Sequence, residues 1–202
     1  MGVPVKIIIT VREQQSLCMA SWREYVKGGG AQPFERFIGT GHEPMSFTPL
    51  LQPEHLMYHR AVDFYADQIG AENVLVLPQE LLKSDPAMFF ARLGAFVGRD
   101  LSKAPSTSVD NKSEGPFAIN VRRWLNYLAP PKTGQTSRPL RARLVPRIIG
   151  LADRLTPEAV DQRMRSAIKA RIAARFDGLF TDSNRQLEAF CGIPLGPLGY
   201  AT

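Results

Sequence analysis

Residues 5–30, VKIIITVREQQSLCMASWREYVKGGG, decide how the rest of the chain is read. β-Branched residues fill Val5 to Val11 apart from Lys6, and an arginine follows. Then Leu17, Cys18, Ser21, Trp22, Tyr25 and Val26 recur at the 3.6-residue spacing of one helix side until Gly28-Gly29-Gly30 stops it. A strand thus passes straight into a helix through a charged residue. Ligand crevices in parallel sheets open at the carboxyl ends of strands, so Arg12 is a candidate ligand position.

Working outward, a Pro- and Gly-rich loop runs to about Leu51, and Pro53 opens a helix with Met57, Ala61, Phe64, Tyr65 and Gln68 in one stripe, closed by Gly70. Asn73 to Pro78, NVLVLP, is a second short buried strand. Asp85-Pro86 caps a third helix bearing Met88, Phe89, Leu93, Phe96 and Val97, with Gly98 as its stop. After a polar loop from Ser102 to Pro116, helical patterns cover Phe117–Leu128, Leu140–Leu155, Pro157–Phe176 and a last segment after Asp182. Two strands joined by a helical crossover form a parallel pair. Parallel sheets normally hold several strands buried on both faces by helices. The expectation is therefore an α/β fold, mostly helical with few strands, in a single domain over 1–202 that is incomplete at its amino terminus and leaves an apolar sheet edge prone to self-association.

Composition sets looser bounds. With 202 residues, 44% of them apolar, the chain is large enough for one real core. No apolar run approaches the roughly 20 residues of a membrane span, and the first residues have no charged leader region. The expectation is a soluble, cytoplasmic protein. Cys18 and Cys191 are too few for a disulfide framework and read as packed hydrophobes. The net charge of +6 is uneven: residues 1–100 hold 9 Lys/Arg against 11 Asp/Glu, and residues 101–202 hold 16 against 8. The later half therefore attracts anions, or is simply a solvated arginine-rich face.

Three stretches, KIIITVREQQSLCMASWREYV, ENVLVLPQELLKSDPAMFFARLGAFVG and SNRQLEAFCGIPLGPLGY, resemble in order three blocks of the bacterial sulfotransferases, a family related to the heparan and cytosolic sulfotransferases. The resemblance implies a P-loop-NTPase-like sulfotransferase fold. It also implies transfer of a sulfuryl group from the co-substrate PAPS (3′-phosphoadenylyl sulfate) to a hydroxyl or amine of a carbohydrate, lipid or small-molecule acceptor, without a metal. The alternative is a non-catalytic relative that binds nucleotide or another anion. In the family pattern Arg12 matches the arginine on the donor's 3′-phosphate, and Glu80 falls at the acidic position of the second block. A guanidinium at a strand end suits a forked grip on phosphate, and the start of the following helix is expected to add open N–H groups. The plainer reading is an arginine paired with Glu13.

The family's second phosphate ligand, a serine eight residues on, is Ala20 here; Ser21 follows it, and Ser16 is a third candidate. No P-K-[ST]-G-T-[TS] loop for the 5′-phosphosulfate precedes Arg12, and no catalytic base is assigned. Pro130 to Pro139, PPKTGQTSRP, approaches that loop but follows a helical pattern rather than a strand. Lys132 is read there as a phosphate ligand, on a cradle or on a basic loop with Arg138, Arg141 and Arg143 that closes over nucleotide, against a plain solvated turn. Trp124 and Tyr127, beside Arg122 and Arg123, read as a core stripe rather than a base-stacking surface, and nucleic acid is not an expected partner. His42 lies in a loop, and His55 and His59 have one-turn spacing without an apparent third ligand, so no metal site is assigned.

Overall fold

The computed structural model describes residues 5–38, 51–101, 114–130 and 139–202. In chain order the elements are β1 (Ile7–Val11), α1 (Gln14–Lys27), α2 (Phe34–Phe37), α3 (Tyr58–Ile69), β2 (Val74–Pro78), α4 (Leu81–Ser84), α5 (Pro86–Val97), α6 (Pro116–Leu128), α7 (Pro139–Leu155), α8 (Glu158–Arg175) and α9 (Thr181–Cys191). The chain divides into two compact units, the first holding residues 1–16, 54–109 and 176–202, the second 17–53 and 110–175.

The first unit is built on the expected parallel pair. β1 and β2 run side by side in the register Ile7↔Val74 to Val11↔Pro78, and they form the sheet of the described residues. β2, rich in Val and Leu, is the more buried strand, while β1 alternates, with Ile8 and Thr10 exposed. α3 and α9 pack on each other and on β2, closing a core of Val11, Val62, Val76, Leu77, Phe89, Leu187 and Leu195. Asp85 caps α5 as its sequence requires: the carboxylate accepts the Met88 N–H at 2.9 Å, Pro86 supplies the first turn, and Gly98 ends the helix at φ +67°. Cys18 and Cys191 are both buried and unbridged, in keeping with packed thiols, and burial raises the Cys191 pKa.

α3 departs from its expected face. It starts at Tyr58, after a 3-10 turn over Pro53–Leu56. Its buried residue is Val62, with Tyr58 and Ile69 half-buried on the same side, whereas Phe64 and Tyr65 are exposed and stack edge to face on each other. The aromatic stripe is amphipathic in pattern, but the β2 and α9 surfaces take the β-branched side instead.

In the second unit, α1 buries Cys18, Met19, Trp22 and Val26. Trp22 meets Phe34 edge to face. The buried Asn126 amide donates to the Val26 and Gly30 carbonyls at 2.8 and 3.0 Å, so α6 adds to the closure of the α1 end, where the Val26 carbonyl also accepts the Gly29 N–H at 3.0 Å. α6 packs against α7 and α8. Its first turn receives two carboxylates, Asp153 on the Gly115 N–H at 2.7 Å and Asp161 on the Phe117 N–H at 3.1 Å. Negative charge there complements the helix dipole. Contrary to the core reading, Trp124 and Tyr127 are exposed.

Candidate functional site

The register of the two strands brings both of their exits to one level. Beyond the last pair, Val11↔Pro78, the Gln79 N–H donates to the Val11 carbonyl at 2.7 Å, which sets Glu80 against the turn from β1 into α1. One Glu80 oxygen accepts the Glu13 N–H at 3.0 Å, and the other accepts the Tyr200 hydroxyl at 3.0 Å. Burial first, and then the Glu80 charge, raise the Tyr200 pKa far above its ordinary value, so the phenol remains a donor.

The neighbouring residues extend this network. Tyr58 donates its hydroxyl to the Arg12 carbonyl at 2.6 Å. Buried Gln14 donates to Asn184 at 2.6 Å, and Asn184 donates in turn to the Ala201 carbonyl at 2.8 Å. The three sequence blocks thus converge at the carboxyl ends of the strands, the first through Arg12, Glu13 and Gln14, the second through Glu80, and the third through Asn184 and Tyr200.

The start of α1 corrects one expectation. Two of its first N–H groups are taken: the Glu13 carboxylate accepts from Gln15 at 2.7 Å and from Ser16 at 2.9 Å. Glu13 is therefore the N-cap, a role more often held by Ser, Thr, Asp or Asn, which is why the sequence concealed it. The same bonds bear on Arg12. Both Glu13 oxygens and both Glu80 oxygens are committed to N–H or O–H donors, and among the described residues the half-buried Arg12 side chain has no ion pair or hydrogen bond.

The other candidates are dispersed. Ser16 is half-buried one turn beyond Arg12. Ala20 continues the Ser16 face, whereas Ser21 is turned about 140° from Ser16 around the axis. Lys132 and Arg138 lie outside the described residues, as does His42; the segment that holds Lys132 follows α6, a helix, and Arg143 is exposed on α7. His59 shares a 2.7 Å hydrogen bond between its Nδ1 and the buried Ser183 hydroxyl, and His55 sits in the preceding 3-10 turn. A cavity of about 290 Å³ in the second unit is lined by Trp22, Phe34, Asn120, Arg123 and Arg171, but its cations are engaged: Arg171 pairs with Glu35, and Arg123 covers the Trp124 ring at 5.0 Å.

Sequence reasoning missed the Glu80–Tyr200 bond and the Gln14–Asn184 pair. No local signal marked them, since Gln14 stands between Glu13 and Gln15, and Asn184 between Ser183 and Arg185. No protein-family model, curated protein or solved structure matches this chain.

Proposed function

We propose that the chain is a PAPS-dependent sulfotransferase of P-loop-NTPase-like fold, and that Arg12 holds the 3′-phosphate of the donor. The observation that carries this reading is the uncommitted Arg12 guanidinium at the carboxyl end of a parallel strand, while each oxygen of Glu13 and Glu80 accepts a bond from another donor. A guanidinium so placed can take two phosphate oxygens in a fork. Ser16, on the first turn of α1, is the next hydroxyl along the chain. The order of the three sulfotransferase-like blocks, joined through Glu80, supports the same reading.

In the proposed reaction the acceptor oxygen or nitrogen forms a bond to sulfur as the bond from sulfur to the 5′-phosphate oxygen breaks. The acceptor proton passes to a base, and adenosine 3′,5′-bisphosphate leaves. The 3′-phosphate is unchanged throughout. Arg12 therefore binds the ground state and the transition state alike, and its loss raises KM for the donor more than it lowers kcat.

Calorimetric titration tests the assignment. Adenosine 3′,5′-bisphosphate should bind more tightly than adenosine 5′-monophosphate, and Arg12→Ala should remove about ten- to a hundredfold of that preference, as expected for one charge-assisted pair. Equal affinities in the unaltered chain would exclude it. Ser16→Ala and Ser21→Ala then decide which hydroxyl assists, and binding without sulfate transfer would favour the non-catalytic alternative.

A further inference from the structure

Away from the strand ends, α7 has an unusual distribution of side chains. Ile149 is buried and Asp153 accepts the Gly115 N–H, which fixes the inward side of the helix. On the opposite side Leu144, Ile148, Leu151 and Leu155 follow at intervals of four, three and four residues, and each is between 42% and 71% exposed. At 100° per residue they fall within about 60° of one another, and Arg143, Arg147 and Arg154 form a second row along one flank of that line. All three arginines are exposed. The neighbouring α6 exposes Trp124, Tyr127 and Leu128, with Trp124 against Tyr127 at 6.0 Å and under the Arg123 guanidinium.

Single exposed apolar residues need no explanation. A continuous apolar line with a basic flank is the pattern of a helix lying in a lipid headgroup layer, and tryptophan and tyrosine favour the same boundary. We propose that the outer face of α7, assisted by the exposed aromatic residues of α6, docks on an anionic lipid bilayer. The aliphatic line enters the acyl boundary, and Arg143, Arg147 and Arg154 meet lipid phosphates. Charge selects this occupant. The acid of the described part of α7, Asp153, is turned inward, so a second copy would bring more arginine and no counter-charge. The line is also shorter than the three to four heptads of a coiled coil. Nucleic acid would use the arginines but leave four aliphatic side chains in water. Among the described residues no helix is long and apolar enough to cross a membrane, so the contact is peripheral.

The test mixes the full chain with vesicles of phosphatidylcholine alone or with an equal part of phosphatidylserine, and reads co-flotation and tryptophan emission. Trp22 is buried and Trp124 exposed, so a blue shift reports Trp124. Expected are flotation with anionic vesicles only, loss of that binding at high salt, and a blue shift that disappears in Trp124→Phe. Arg147→Gln should weaken partitioning about fivefold, and Ile148→Glu with Leu151→Glu should abolish it. Leu144→Glu supplies the same test should the double variant fail to fold by circular dichroism. The proposal is overturned if anionic vesicles do not bind, if the glutamate variants bind as well as the unaltered chain, if those variants instead abolish self-association of a chain that ignores vesicles, or if duplex DNA displaces the vesicles.

Discussion

The two units resolve opposite problems. At the strand ends of the first, polar groups are gathered into partly buried positions and satisfy one another: Glu80 takes Glu13 and Tyr200, Gln14 takes Asn184, and Tyr58 takes the Arg12 carbonyl. On α6 and α7 of the second, apolar groups are turned out and left unsatisfied. Burial is informative when the buried group is polar, and exposure is informative when the exposed group is large and apolar. By that rule the first unit marks a site held in position, and the second marks a face that gains by contact.

The largest expected effect sharpens this contrast directly. Leu77→Ala, in the sealed core of the first unit, should cost about 2–5 kcal/mol in denaturant unfolding. Leu151→Ala, on the outer line of α7, should cost less than about 0.5 kcal/mol. Similar losses at the two positions would mean that the α7 line is covered in solution.

Tyr200→Phe should come next, at about 1–3 kcal/mol near neutral pH, because it leaves a Glu80 oxygen without its donor. It also has a pH signature. The folded pKa of Tyr200 is raised from its ordinary value of 10, so the folded state favours the protonated phenol. That stabilisation is complete below pH 10 and is lost as pH rises past it. The unaltered chain should therefore lose stability in alkali more steeply than Tyr200→Phe, and parallel pH curves would contradict the Glu80 contact.

Glu13→Ala should cost less than Tyr200→Phe, about 0.5–2 kcal/mol for a helix N-cap. It uncovers the Gln15 and Ser16 N–H groups beside Arg12, so affinity for adenosine 3′,5′-bisphosphate should rise even as stability falls. A fall in both would place the nucleotide elsewhere.

Much of the backbone was legible because its signals are local. The Asp85-Pro86 start and Gly98 stop of α5, the two strands and the positions of α6 to α9 follow from capping chemistry and periodicity. Faces were less legible, since periodicity shows that a helix has an apolar side but not which surface receives it. Phe64, Tyr65, Trp124 and Tyr127 all read as inward and are all exposed, while Val62 is buried. The site was half legible. Arg12 declared itself by its place after a strand, but Glu13 is an uncommon cap although its bonds to Gln15 and Ser16 are local, and the Glu80 bonds with Glu13 and Tyr200 join partners more than sixty residues apart.

The central claim, that Arg12 grips a 3′-phosphate, is tested most directly by phosphorus NMR of bound adenosine 3′,5′-bisphosphate across pH. A phosphate monoester loses its second proton near pH 6, and a guanidinium fork stabilises the dianion. The 3′-phosphate of the bound nucleotide should therefore titrate below its solution value, and Arg12→Ala should return it there. A 3′-phosphate that titrates identically in the unaltered chain and in Arg12→Ala would contradict the account.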